Sequence, residues 1–334
     1  MTTDDIAREL GVSKSTVSRA LSGKGRISQA TRQKIQDFVR KNGIQQEKLP
    51  DSQETGKIKT QNIAVVIPTD AYSESIPFFH ECLLGISEVA AMFRYHVLIV
   101  TGTMNDISDV QKLVEQDKVD GVILLRSVEG DRVLKYLADI QFPTGLVGTC
   151  DYDDVVQVDV DNRLAAESLV SILIDQGYRK FAMVAGDMGY RVNKSRVQGC
   201  RDALEKQGIP VEKQLYYPNF TRMELIDSVI NDVLGGKVEC IVCGDDVICT
   251  RLMSRLQAEG WKIPRDVSIV SLCSSSNLDC FSPAVTTIHI SSRREGSVVC
   301  KQLINRLDGE NYEKKTILTY EVMLRKSIGR LYRG

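Results

Sequence analysis

From residue 62 onward, short apolar runs alternate with longer stretches in which apolar residues recur every three or four positions. Ile63–Ile67 is a continuous β-branched run closed by Pro68, which reads as a fully buried strand. Phe79–Phe93 places Cys82, Leu83, Ile86, Val89, Ala90 and Phe93 on one stripe and predicts a helix. The same alternation predicts strands at Tyr95–Val100, Gly121–Leu125 and Thr144–Val147, with helices Ile107–Gln116 and Asp131–Ile140 between them. The cycle restarts near residue 160. Helices are expected at Asn162–Gln176, Asn193–Gln207, Glu224–Leu234, Val247–Glu259 and Arg293–Leu307. Strands are expected at Phe181–Val184, Cys240–Cys243, Val267–Leu272 and, at the end, Ile317–Val322. Short apolar strands joined by amphipathic helices mean parallel sheets with helices on both faces, an α/β fold. The restart implies two similar lobes with a cleft between them. Ligands of open α/β sheets settle beyond the carboxyl ends of the strands, so the cleft is the expected binding place.

The first 43 residues follow a different pattern. Ile6, Ala7 and Leu10 share one face of a short helix, and Gly11-Val12 break it. Ser13 is a suitable N-cap for a second helix, Lys14–Leu21, with Val17, Ala20 and Leu21 inward. Ser28 can cap a third, roughly Gln29–Lys41, with Ile35, Phe38 and Val39 as its stripe. Three short helices with a tight glycine-containing turn between the first two describe a helix-turn-helix head. The second helix of such a unit enters the major groove of DNA. Lys14, Ser15 and Arg19 remain outward on it and suit base edges. Ser13, Thr16, Ser18 and Ser22, with Ser28 and Thr31 at the start of the third helix, supply hydroxyls for phosphates. A three-helix protein-interaction domain is the alternative reading of the same pattern.

Charge favours the DNA reading. The 334 residues sum to −1, but residues 1–43 hold nine Lys/Arg against four acids, a net of +5, which leaves −6 for the remainder. A basic head on an acidic body fits a nucleic-acid module joined to something else. The length allows two or three domains with real cores. No apolar run reaches membrane-helix length, and the polar, acidic start is no signal peptide.

Nine spread-out cysteines then read as reduced cytosolic thiols. Cys240 and Cys243 have CxxC spacing, but in a strand they point to opposite faces. The three histidines are scattered, so neither a metal site nor a cofactor is expected. No phosphate-binding glycine loop, GxSxG or HExxH appears, and no enzyme is expected.

Asp5-Ile6-Ala7, the run Gly11–Leu21, Ile27-Ser28, Thr31-Arg32 and Ile35 resemble the head of the lactose-repressor/galactose-repressor family of bacterial transcription regulators. Val160-Asp161-Asn162, Arg196–Gly199, Asp245-Asp246 and Ser282–Ile288 resemble its core, which is itself similar to periplasmic sugar-binding proteins. The resemblance implies a homodimer on a near-palindromic double-stranded DNA operator, controlled by a sugar-like effector between the lobes. It places Phe78, Phe79, Asp161, Tyr190, Arg196, Phe220 and Asp246 on or near effector-contacting positions. Cys273 stands where the family commonly has an effector-binding Asp.

Residues 44–60 depart from the family's hinge helix, because Pro50 interrupts it and the Ala-Arg-x-Leu core is absent. The expected organisation is a head over 1–43, a linker with an atypical hinge over 44–60, and a two-lobed effector and dimerisation domain over 61–334. Two other readings share the fold: a solute-binding protein, opposed by the basic head and the thiols, and a regulator answering to a protein partner or to thiol oxidation.

Overall fold

In this computed structural model, the described residues are 3–13, 16–17, 20, 28–41, 59–69, 77–103, 105–220 and 225–329. The chain divides into two units, residues 1–59 and 60–334.

The first unit opens with α1 (Thr3–Leu10). Gly11 ends it at φ +65°, a left-handed conformation that a residue without Cβ adopts freely. Gly11 N donates to Arg8 O (3.3 Å) and Val12 N to Ala7 O (3.0 Å), closing the helix with a Schellman motif. Thr16, Val17 and Ala20 are helical, and Ser13 Oγ accepts from Thr16 N at 3.1 Å. Ser28 repeats the device ahead of α2 (Gln29–Lys41), accepting from Thr31 N at 3.1 Å. Ile6, Ala7, Val17, Ala20, Ile35 and Val39 close one small core, flanked by Leu10, Val12 and Phe38.

The second unit is anchored where Asp120 accepts from Thr60 N (2.9 Å) and Gln61 N (2.8 Å). Its first lobe winds through β1 (Asn62–Pro68), α3 (Pro77–Met92), β2 (His96–Gly102), α4 (Ser108–Glu115), β3 (Gly121–Leu124), α5 (Arg132–Asp139), β4 (Thr144–Val147) and β5 (Val156–Val160). The second winds through α6 (Asn162–Asp175), β6 (Phe181–Val184), α7 (Arg191–Lys206), β7 (Leu215–Tyr217), α8 (Leu225–Leu234), β8 (Cys240–Cys243), α9 (Asp246–Ala258), β9 (Ser268–Ser271), α10 (Ser276–Asp279) and β10 (Thr286–His289). Then come α11 (Ser292–Asp308), β11 (Lys315–Leu318) and β12 (Glu321–Met323).

Two six-stranded sheets result, ordered β11-β5-β4-β3-β1-β2 and β12-β10-β9-β8-β6-β7. Every pairing is parallel except β10 with β12. Apolar side chains of both faces of each sheet are buried under helices, giving two cores per lobe.

Three differences from the sequence reading matter. The lobes are not consecutive segments: α11 returns to the first lobe, burying Val299, Cys300, Leu303 and Ile304 against Ile63, Ile86 and Ile123. The expected terminal strand is two, β11 in the first sheet and β12 in the second, so the chain crosses between lobes at 160–162, 289–292 and 318–321. Finally, β5, β7 and β10 were not anticipated. Gln157 and Asp159 interrupt the apolar run of β5, and both are built in by hydrogen bonds: Gln157 Oε1 accepts from Cys150 N (3.0 Å), and Asp159 Oδ1 from Val160 N (2.7 Å).

Candidate functional site

A cavity of about 400 Å³ lies between the two lobes, at the carboxyl ends of their strands. From the first lobe Phe78 and Phe79 open α3 at its wall, their rings meeting edge to face at 5.3 Å. The second lobe adds Tyr190, which precedes the first residue of α7, and Arg196 one turn and a half further on. Arg196 is held on both sides: Nε donates to Asn162 Oδ1 (3.1 Å) and Nη1 to Gly244 O (2.8 Å). Asn162 is itself fixed by donating to Asp159 Oδ1 (3.0 Å) and Val160 O (3.1 Å).

At the head of α9, Asp245 caps the helix by accepting from Ile248 N (2.8 Å), and Asp246 is 2% exposed in the cavity wall. Cys273 follows β9, and its Sγ lies 3.6 Å from Asp246 Oδ1. Burial, then the Asp246 charge, push the Cys273 thiol well up, so it faces the cavity as a neutral, weak donor.

The cavity brings together Phe78, Phe79, Tyr190, Arg196, Asp246 and Cys273 of the residues singled out in the sequence. It does not include Asp161 or Phe220. Asp161 is the N-cap of α6, accepting from Leu164 N at 2.9 Å, and lies on an outer groove instead. Phe220 is 1% exposed within the core of the second lobe. A residue beside a strand end can turn either into the cleft or under the sheet, and local sequence does not separate the two.

Polar residues that the sequence did not single out also line the cavity: Arg126, Asp159, Asn193 and Glu295. Arg126 pairs with Asp131 (Nε to Oδ2, 3.0 Å), both almost wholly buried. Burial raises Asp159 to about 6, against the pull of its bond from Val160 N and of Arg196. Glu295, on α11, is pushed up to about 8 by burial and then by the Asp159 charge, with Arg196 opposing. Charged sequence surroundings hide it: Arg293-Arg294-Glu295 reads as a solvated helix turn.

Besides the three chain crossings, the lobes touch directly. Arg191 N donates to Ser127 O (3.0 Å), Arg191 pairs with Asp151, and Lys194 with Glu129.

In the head, Ser13 and Thr16 share a hydrogen bond (2.8 Å), as do Ser28 and Thr31 (2.7 Å). These four hydroxyls sit at two helix N-termini, where backbone amides and the helix dipole favour anions such as phosphate. Lys14, Ser15, Ser18, Arg19 and Ser22 lie outside the described residues, as does most of the 44–60 segment.

The cysteines of the CxxC pair are both fully buried, Cys243 in one core of the second lobe and Cys240 in the other, as alternation requires. All nine thiols are free, and only Cys280 is exposed. Among the described residues no helix is long and apolar enough to cross a membrane.

A basic helix-turn-helix head followed by a two-lobed α/β body with an interlobe cleft defines a DNA-binding transcription regulator. Residues 2–43 match the family of bacterial regulatory proteins, lacI family, and residues 170–328 match the periplasmic binding protein-like domain. The head is thus of the lacI family. The chain is similar to the HTH-type transcriptional regulator MalR of Staphylococcus xylosus, with 29% identity over 319 residues and 93% of each chain covered. It is also similar to the HTH-type transcriptional regulator RegA of Clostridium saccharobutylicum, with 26% identity over 331 residues, 97% of this chain and 98% of that one. The solved structure of transcription regulator CcpA of Lactococcus lactis shares 25% identity and a TM-score of 0.69, covering 80% of this chain and 99% of its own.

Proposed function

We propose that this regulator is a cytoplasmic, homodimeric repressor that binds a near-palindromic operator and is controlled by a sugar or sugar derivative in the interlobe cleft. The carrying observation is the cleft itself: aromatic rings beside a guanidinium and a carboxylate, where CH faces stack and charged forks bond hydroxyls. Two further similar proteins, a probable maltose operon transcriptional repressor of Staphylococcus and catabolite control protein A of Streptococcus mutans, carry names that agree with a carbohydrate signal. Phe78, Phe79, Tyr190, Arg196, Asp246 and Cys273 contact the effector. Lys14, Ser15 and Arg19 read bases, while Ser13, Thr16, Ser18, Ser22, Ser28 and Thr31 hold phosphates. Because the effector is held by both lobes, it has different affinities for two lobe arrangements, and that difference is what alters operator binding.

Selection of binding sites from a random duplex library tests the reading. The full chain should enrich a two-fold symmetric site. Arg19→Ala should flatten the preference at symmetric positions and weaken binding by about 1–3 kcal/mol. An unchanged preference removes Arg19 from base reading, and failure to enrich any site removes the sequence-specific function.

A further inference from the structure

The charges around the cleft do not balance, and the imbalance narrows the effector. Three of the four arginines that line the cavity are already neutralised: Arg126 by Asp131, Arg325 by Asp279 and Arg293 by Glu88. No lysine lines it among the described residues. Arg196 remains, with its Nε and Nη1 protons given to an amide oxygen and a carbonyl. Facing this single guanidinium are Asp159 and Glu295 from the first lobe and Asp246 from the second. Glu295 is 4% exposed, and its Oε2 has no hydrogen-bond partner. A buried carboxyl oxygen left so is costly unless something else completes it.

A phosphate or carboxylate on the effector deepens this excess of acid. A neutral polyol leaves it in place. An ammonium group answers it: it donates three charge-assisted hydrogen bonds, and its charge beside Glu295 offsets the burial that otherwise keeps that carboxyl protonated, so the proton leaves to solvent and a carboxylate accepts. Phe78, Phe79 and Tyr190 present aromatic rings to the same cavity, and ring faces attract cations.

We propose that the effector carries a protonated amine on a sugar-like frame, held between Asp246 of one lobe and Glu295 with Asp159 of the other. The inference rests on the cleft being the effector site. It adds a reason for closure: a cation between carboxylates of opposite lobes draws both toward it.

The test uses the full chain and matched probe sets in calorimetry and thermal-shift measurements at neutral pH. Each set holds glucose, galactose or mannose, its 2-amino-2-deoxy form, the N-acetylated amine and the 6-phosphate. In at least one set the free amine should bind about ten-fold more tightly than the neutral parent, and N-acetylation should cancel the gain. Glu295→Gln and Asp246→Asn should each bring amine and parent toward parity while the variants keep cooperative unfolding. Tightest binding by a neutral or phosphorylated member overturns the amine inference but leaves the cleft reading standing. No binding by any member of any set overturns both.

Discussion

The two lobes are built to one plan, and the places where they break it are where the chemistry sits. Each sheet winds in the same order, and each is finished by a strand from the last turn of the chain. The correspondence extends to side chains. In the first lobe Gly85 of α3 lies against Arg293 O of α11; in the second, Gly199 of α7 lies against Arg163 O of α6. Three residues beyond each glycine an acid takes the guanidinium of that same arginine, Glu88 with Arg293 and Asp202 with Arg163. Three residues before each glycine the plan diverges. Arg196 donates to Asn162 Oδ1, whereas its counterpart Cys82 gives its thiol to Ser292 O at 3.2 Å. Two residues beyond each arginine it diverges again, with Ala165 in the second lobe and Glu295 in the first, both buried. A repeated scaffold thus holds one arginine and one carboxyl that have no mates in the repeat, and both belong to the cavity.

The strongest challenge to this equivalence is to the glycines. A Cβ on Gly199 collides with Arg163 O, and one on Gly85 collides with Arg293 O across the matching helix pair. Gly199→Ala and Gly85→Ala should each cost about 3 kcal/mol, at the upper end of overpacking, because the obstacle is backbone. Denaturant titration checks this. A large loss in one lobe and none in the other breaks the correspondence.

A smaller effect tests the asymmetry. Glu295 holds its proton up to about pH 8 when folded, but loses it near its ordinary value of 4.5 when unfolded. Between those limits the folded state binds more protons, so this group makes stability fall as pH rises. Asp159 acts in the same direction over a lower range, up to about 6, while Arg196 opposes both. Glu295→Gln removes the Glu295 contribution. Its melting temperature relative to the parent should climb by several degrees from pH 5 to pH 8.5. A pH-independent difference would show that the carboxyl is not held protonated.

The smallest effect expected is at the paired arginines. Arg163 is more than half exposed, so Arg163→Ala should cost under about 1 kcal/mol in the same titration. A loss as large as that at Gly199 would move the weight of the helix contact from backbone packing to the ion pair.

Much of this plan was legible in the sequence. Strands such as Thr144–Val147, apolar after its threonine, and Cys240–Cys243, apolar throughout, fall where the pattern put them. The head was legible for a different reason: capping is local, so Ser13 and Ser28 announce the helices they begin. The cleft was legible in part. Arg196, Asp246 and the Phe78–Phe79 pair were found through a family likeness, and Cys273 through a departure from it. Asp159 and Glu295 were missed because their environment is made by chain segments about 135 residues apart, brought together by the return of α11. Asp161 and Phe220 were misplaced because which way a loop residue turns depends on that same tertiary frame.

That return has a consequence for how the protein is made. The first lobe begins at residue 62, yet Val299, Cys300, Leu303 and Ile304 of α11 are part of its core, and β11 completes its sheet. A ribosome therefore releases more than 200 residues before this lobe can close, and the second lobe must wait longer still for β12. Until then Ile63, Ile86 and Ile123 have no cover on one side, a surface that invites aggregation. Closure of the cleft is thus something the nascent chain acquires only late in its synthesis. A message cut short before residue 308 yields a head with its own small core, joined to a body whose first lobe is left open.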